Sequence, residues 1–77
     1  MQVNIICFGP LAEQLGWKSR TMVFDGATTP RMVVEELGIS NWMGAGLTFA
    51  IDGEMCSAEA MLNEGSELAL LPPVSGG

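Results

Sequence analysis

The chain has 77 residues, 48% of them apolar, with three basic side chains (Lys18, Arg20 and Arg31) against nine acidic ones. This length allows one small domain with a modest core, because so short a chain buries only about 60% of its unfolded surface. A net charge of −6 repels nucleic-acid phosphates and anionic lipid and favours basic protein partners, so neither nucleic-acid binding nor membrane binding is expected.

The first element is a run of β-branched and aromatic residues from Val3 to Phe8, bounded by Gly9-Pro10, which reads as a strand. Alternation puts Val3, Ile5 and Cys7 on one face and Ile6 and Phe8 on the other. Both faces are apolar, so this strand is either central or carries an exposed apolar patch. Pro10 suits the first turn of a short helix ending at Leu15, with Leu11 and Leu15 on one face and Gly16 as a left-handed cap. Lys18 to Phe24 reads as a second strand with Met22 and Phe24 expected in the core, and Asp25-Gly26 marks a turn.

Thr29 has the chemistry of a helix N-cap, Pro30 fits the first helical position and Gly38 fits the end, which predicts the main helix over Pro30 to Leu37. Val33, Val34 and Leu37 form its apolar stripe, while Arg31, Glu35 and Glu36 stay in water. Ile39 to Gly46 shows no regular pattern; Trp42 and Met43 are the candidate anchors of a loop there. Leu47, Phe49 and Ile51 alternate as a strand, Asp52-Gly53 is a hairpin signal, and Met55 and Cys56 fall on the returning strand. After a turn at Glu64-Gly65, Glu67 to Leu71 forms the last strand, with Leu68 and Leu70 on one face and Ala69 and Leu71 on the other. This order of elements is α+β, without repeats or a second domain.

Little in the chain supports catalysis by itself. Histidine and tyrosine are absent, and Cys7 and Cys56 show no metal-ligand spacing, so they are expected to be two buried apolar thiols and no metal site is expected. Glu35 and Glu36 are sequence neighbours and point in different directions on a helix, which excludes an acid–base pair. The Gly44-Ala45-Gly46 segment lacks the strand-to-helix context of a phosphate-binding loop, and no bound cofactor is expected. Met1 to Asn4 lacks the basic start of a signal peptide, which gives the expectation of a cytoplasmic protein.

The end of the chain, Leu70-Leu71-Pro72-Pro73-Val74-Ser75-Gly76-Gly77, has the most specific chemistry. Pro72 cannot donate to a sheet ladder, and Pro72-Pro73 favours an extended arm leaving the domain. Gly76 and Gly77 carry no Cβ, so a terminal carboxylate here can enter a channel that rejects other residues. The chain thus divides into a domain over residues 1–71 and an extended Gly-Gly tail over residues 72–77.

The string "LLPPVSGG" directly after "LNEGSELA", together with the opening "CFGPLAEQLG" and the spacing between them, resembles the small subunit of molybdopterin synthase, the MoaD family of ubiquitin-like sulfur carriers. The resemblance implies a β-grasp fold, with a mixed sheet and one main crossing helix. It implies that an adenylyltransferase related to ubiquitin-activating enzymes uses ATP to activate the Gly77 carboxylate, and that sulfur displaces AMP to leave a thiocarboxylate. It further implies insertion of Pro72, Pro73, Val74, Ser75 and Gly76 into a large subunit, in a heterotetramer of two small and two large subunits. There the sulfur passes to cyclic pyranopterin monophosphate. In a β-grasp the first and last strands lie parallel, which leaves Ile6, Phe8, Ala69 and Leu71 outward as a partner surface, with Met55 beside them. The chain departs from the family's pattern at Leu70 and Leu71, where aromatic residues are common, at Ser66, where aspartate is, and at Ala12, where a basic residue is.

Three other readings of the tail differ in the fate of the carboxylate. A sulfur carrier for thiazole synthesis has the same fold and ending; a protein modifier forms an isopeptide bond to lysine; a binding module leaves the tail inert.

Overall fold

The computed structural model of the protein describes residues 1–73. Its elements, in chain order, are strand β1 (Gln2–Cys7), helix α1 (Gly9–Leu15), strand β2 (Ser19–Val23), helix α2 (Pro30–Leu37), a 3-10 helix (Ser40–Ala45), and strands β3 (Thr48–Ile51), β4 (Glu54–Cys56) and β5 (Glu67–Leu71). The five strands form one mixed sheet in the order β2-β1-β5-β3-β4. β1 and β5 lie side by side and parallel, with Ile5 opposite Leu68 and Cys7 opposite Leu70, while every other neighbouring pair is antiparallel. This is the expected β-grasp arrangement.

Local chemistry accounts for most of the boundaries. Thr29 caps α2 by accepting a hydrogen bond at Oγ1 from the Met32 N–H at 3.3 Å, and Pro30 occupies the first turn, where its missing N–H leaves no helix bond unmade. Gly38 ends α2 in the left-handed conformation, with its own N–H on the Glu35 carbonyl and that of Ile39 on the Val34 carbonyl. Asp52 and Gly53 have φ of 49° and 86°, the pair of positive values that a tight hairpin turn requires, and they join β3 to β4. Ser66 is buried; its Oγ accepts from the Asn63 N–H at 3.0 Å, closing the turn before β5.

One face of the sheet carries Val3, Ile5, Cys7, Phe49, Leu68 and Leu70, all buried, and joins Val33 and Val34 of α2 and Leu11 of α1 in a single core. Met22 and Phe24 are partly buried against it, as the alternation predicts. The Ile39 to Gly46 segment is a 3-10 helix rather than an irregular loop, and Trp42 and Met43 do anchor it on the core. The Trp42 indole also donates to Gln14 Oε1 on α1 at 3.0 Å. Two other expectations are corrected. Phe8 lies beyond β1 as the extended residue preceding α1. Cys56 is half-buried, because its strand is the short outer edge of the sheet with one side uncovered.

The segment between β4 and β5 straps the start of α2: the Arg31 N–H donates to the Ala58 carbonyl at 3.0 Å and the Leu62 N–H to the Thr28 carbonyl at 2.9 Å. Arg31 and Glu59 form an ion pair across the strap. Both side chains are exposed, so the pair adds little stability, whereas Leu62 is buried in the core.

Total stability for a domain of this size is roughly 4–12 kcal/mol. Leu68 is fully buried on a central strand, so Leu68→Ala is expected to lower stability by about 2–5 kcal/mol. Urea unfolding checks this; an unchanged midpoint would show that Leu68 is not part of the core.

Candidate partner surface and tail exit

The second face of the sheet is built by the same alternation that fills the core. Backbone register places Ser19, Ile6, Ala69, Ala50 and Met55 in one row across all five strands. Thr48 lies opposite Leu71 in the next row. Met55 is 66% exposed and Phe8 47%, while Ile6, Ala69 and Leu71 are half-buried. The expected surface residues Ile6, Ala69, Leu71 and Met55 therefore share one face, with Phe8 beside Leu71 at its end; Met55 and Phe8 are exposed. Exposed Thr48 also belongs to the surface, and Ala50 shares its face by register although it is buried; the sequence reading assigns neither. Their signal was available, because Leu47, Phe49 and Ile51 point inward and the intervening residues must point outward.

At one end of this face a cleft of about 640 Å³ is lined by Phe8, Gly9, Pro10, Thr48, Leu71, Pro72 and Pro73. It joins the apolar surface to the root of the tail. Thr48 Oγ1 donates to the Leu71 carbonyl at 3.3 Å, tying the last residue of β5 to β3 just before the prolines. Of the expected tail residues, Pro72 and Pro73 are at this cleft; Val74, Ser75, Gly76 and Gly77 lie outside the described residues.

A larger cleft, about 760 Å³, lies across Phe8 and is lined by Cys7, Ala12, Glu13, Gly16, Trp17 and Lys18 among others. Its thiol is a poor nucleophile. Cys7 is 2% exposed, its Sγ donates to the Trp17 carbonyl at 3.1 Å, and burial raises its pKa above the ordinary thiol value. Desolvation also raises the pKa of Cys56, partly offset by a backbone hydrogen bond from Ile51. Both cysteines are free. No group of acidic or cysteine side chains able to hold a metal occurs among the described residues. None of their helices is long and apolar enough to cross a membrane.

These thiols give a direct test of the packing. Raised pKa values mean less thiolate than in free cysteine at any given pH, with reactivity rising as pH increases towards them. Iodoacetamide is expected to alkylate half-buried Cys56 slowly at pH 8 and Cys7 only after unfolding, as peptide mass mapping would show. Rapid alkylation of Cys7 in the folded protein would contradict its burial.

Comparison with known proteins adds to this geometry. The model of the ThiS family matches residues 5–77. No curated protein matches the chain. Among solved structures, the chain is similar to the small archaeal modifier protein SAMP1 of Haloferax volcanii, at 26% identity over 100% of both chains and a TM-score of 0.81. It is also similar to a putative molybdopterin converting factor subunit 1 of Pyrococcus furiosus, at 19% identity over 96% of this chain and 99% of that one, with a TM-score of 0.79. A third likeness is to a complex of subunits 1 and 2 of the molybdopterin-converting factor of Helicobacter pylori, at 24% identity over 100% of both chains and a TM-score of 0.66. At these identities the Pyrococcus and Helicobacter structures bear on the fold.

Proposed function

The chain belongs to the ThiS family, and from that premise we propose that it is a sulfur carrier acting as the small subunit of a molybdopterin synthase. The observation that carries the proposal is the continuity of the apolar face, the cleft and the tail root at Pro72-Pro73, within a family match that runs through Gly77. A partner covering the face would receive the tail from the same side.

In this reading the domain presents and the tail reacts. A carboxylate resists nucleophiles because of its charge. An adenylyltransferase of the ubiquitin-activating kind therefore joins the Gly77 carboxylate to AMP from ATP, releasing pyrophosphate. A persulfide sulfur attacks the acyl carbon and AMP leaves; reductive cleavage of the resulting acyl disulfide by a thiol leaves the thiocarboxylate. The large subunit then receives the tail and supplies the groups that move the sulfur to cyclic pyranopterin monophosphate. The chain itself holds no cofactor in this scheme, which runs in the cytoplasm. The two-subunit complex of the Helicobacter neighbour is the precedent for a large-subunit partner, and a heterotetramer of two small and two large subunits belongs to the same proposal.

The likeness to SAMP1 supports a second reading, a protein modifier whose Gly77 forms an isopeptide bond to lysine. Incubating the thiocarboxylated protein with the large subunit and cyclic pyranopterin monophosphate distinguishes the uses. Formation of molybdopterin, with the carboxylate form of Gly77 regenerated, is the expected result. Absence of molybdopterin, or conjugation of Gly77 to lysine in place of transfer, would contradict the pterin assignment.

A further inference from the structure

The two outer strands of the sheet differ in length and in charge. β4 has three residues and includes Glu54, whereas β2 has five, Ser19 to Val23, with neither an acidic residue nor a proline. The bonding of β2 to β1 is fixed at both ends. The Cys7 N–H donates to the Lys18 carbonyl at 3.0 Å, and Met1 and Phe24 exchange backbone hydrogen bonds at the other end. In an antiparallel pair, residues bonded to the neighbouring strand alternate with residues whose backbone groups point the other way. The register is continuous from Ile6–Ser19 to Gln2–Val23. Lys18, Arg20, Met22 and Phe24 therefore bond inward to β1, and the N–H and carbonyl groups of Ser19, Thr21 and Val23 point away from the sheet. Among the described residues no hydrogen bond reaches these outward groups.

The side chains along this edge have one sign of charge. Arg20 lies opposite Ile5 and Met22 opposite Val3, so both stand on the helix-bearing side of the sheet, and Lys18 follows by the same alternation. The Arg20 guanidinium lies over the Trp17 ring, 5.9 Å from its centroid, which keeps the charge beside the strand. Lys18 and Arg20 are two of the three basic residues of the chain, and the third, Arg31, is paired with Glu59. A protein of net charge −6 thus places its unpaired cations on its longer open strand edge. On the opposite side of the same strand Val23 is 77% exposed.

We propose that the outer edge of β2 is a docking site for an extended, acidic segment of a partner protein, which adds to the sheet as a further strand. Backbone bonds to Ser19, Thr21 and Val23 supply the attachment, and Lys18 and Arg20 select carboxylates. Side chains of the added strand alternate between the two faces, so acidic residues at every second position fall beside the cations and apolar ones between them fall beside Val23. The same cations disfavour pairing of two copies edge to edge, as charged residues do on other exposed strands. This site is separate from the tail and does not rest on the carrier reading.

The probe is a capped synthetic peptide of alternating valine and glutamate, followed by amide hydrogen exchange and chemical-shift titration. Saturable binding with a Kd below about 1 mM is expected. Exchange should slow at Ser19, Thr21 and Val23 and stay unchanged at Arg20 and Met22, which already bond to β1. Lys18→Glu and Arg20→Glu together are expected to weaken binding roughly tenfold and to confer binding of a valine–lysine peptide. Both side chains are exposed, so melting should match wild type. Thr21→Pro removes an outward N–H without breaking a bond to β1 and should abolish binding; if it lowers the melting temperature, the charge-reversed variant decides. Unchanged exchange at Ser19, Thr21 and Val23 overturns the proposal, as does equal binding of the valine–lysine peptide by wild type. Protection of these amides in the free protein that grows with its concentration assigns the edge to a second copy and also overturns it.

Discussion

Deleting Gly77, or adding one residue after it, is expected to abolish thiocarboxylate formation while leaving the domain folded. The carrier reading places the reacting carbon at that residue alone. Deletion moves the carboxylate to Gly76, and extension puts an amide where the adenylyltransferase needs a free acid. Gly76→Val is expected to act as severely for a different reason, since a β-branched side chain next to the reacting end blocks a channel shaped for glycine. Among the described residues the buried core members all precede Pro72, so thermal unfolding should match wild type. Intact mass after incubation with the adenylyltransferase, ATP and a persulfide donor measures loading. Full loading of any of the three variants would falsify the role given to Gly77.

The second large effect is at the partner face. Phe8→Asp and Met55→Asp each place a charge where an apolar contact forms, at side chains 47% and 66% exposed in the free protein. Affinity for the large subunit is expected to fall about 100-fold for each, within the roughly 2–4 kcal/mol typical of a buried apolar anchor. Melting should change little. Leu71→Asp should weaken binding comparably but also lower the melting temperature, because Leu71 is half-buried and lies on β5 between the ladder and the cleft. Calorimetric titration beside thermal unfolding separates the two effects. Normal affinity for Phe8→Asp and Met55→Asp would place the docking surface elsewhere.

Sequence showed most clearly those features whose cause is local. Thr29, Pro30 and Gly38 bound α2 because capping and proline chemistry act within one turn. Asp52-Gly53 determined the hairpin because few other pairs take two positive φ values. Strand alternation sorted Val3, Ile5 and Cys7 from Ile6, and Leu68 and Leu70 from Ala69, and the structure keeps that sorting.

Features made by distant parts of the chain were not legible. Ile39 and Leu62 are buried core residues outside any periodic run, placed there by the end of α2 and by the strap across its start. Thr28 is fully buried with its hydroxyl bonded to the Gly26 carbonyl at 3.0 Å, an arrangement that a threonine in a turn does not announce. The Trp42–Gln14 bond joins segments 28 positions apart. Cys56 departs from the burial expected of a free cysteine because it stands on the edge strand of the sheet.

The central claim is that Gly77 carries sulfur, and the intact mass of the protein purified from its own cells tests it most directly. A fraction of the free protein heavier by the difference between sulfur and oxygen, with the change mapped to Gly77 by fragmentation, is the predicted result. Free protein carrying only an ordinary carboxylate, accompanied by covalent adducts through Gly77 to the lysines of other proteins, would contradict it.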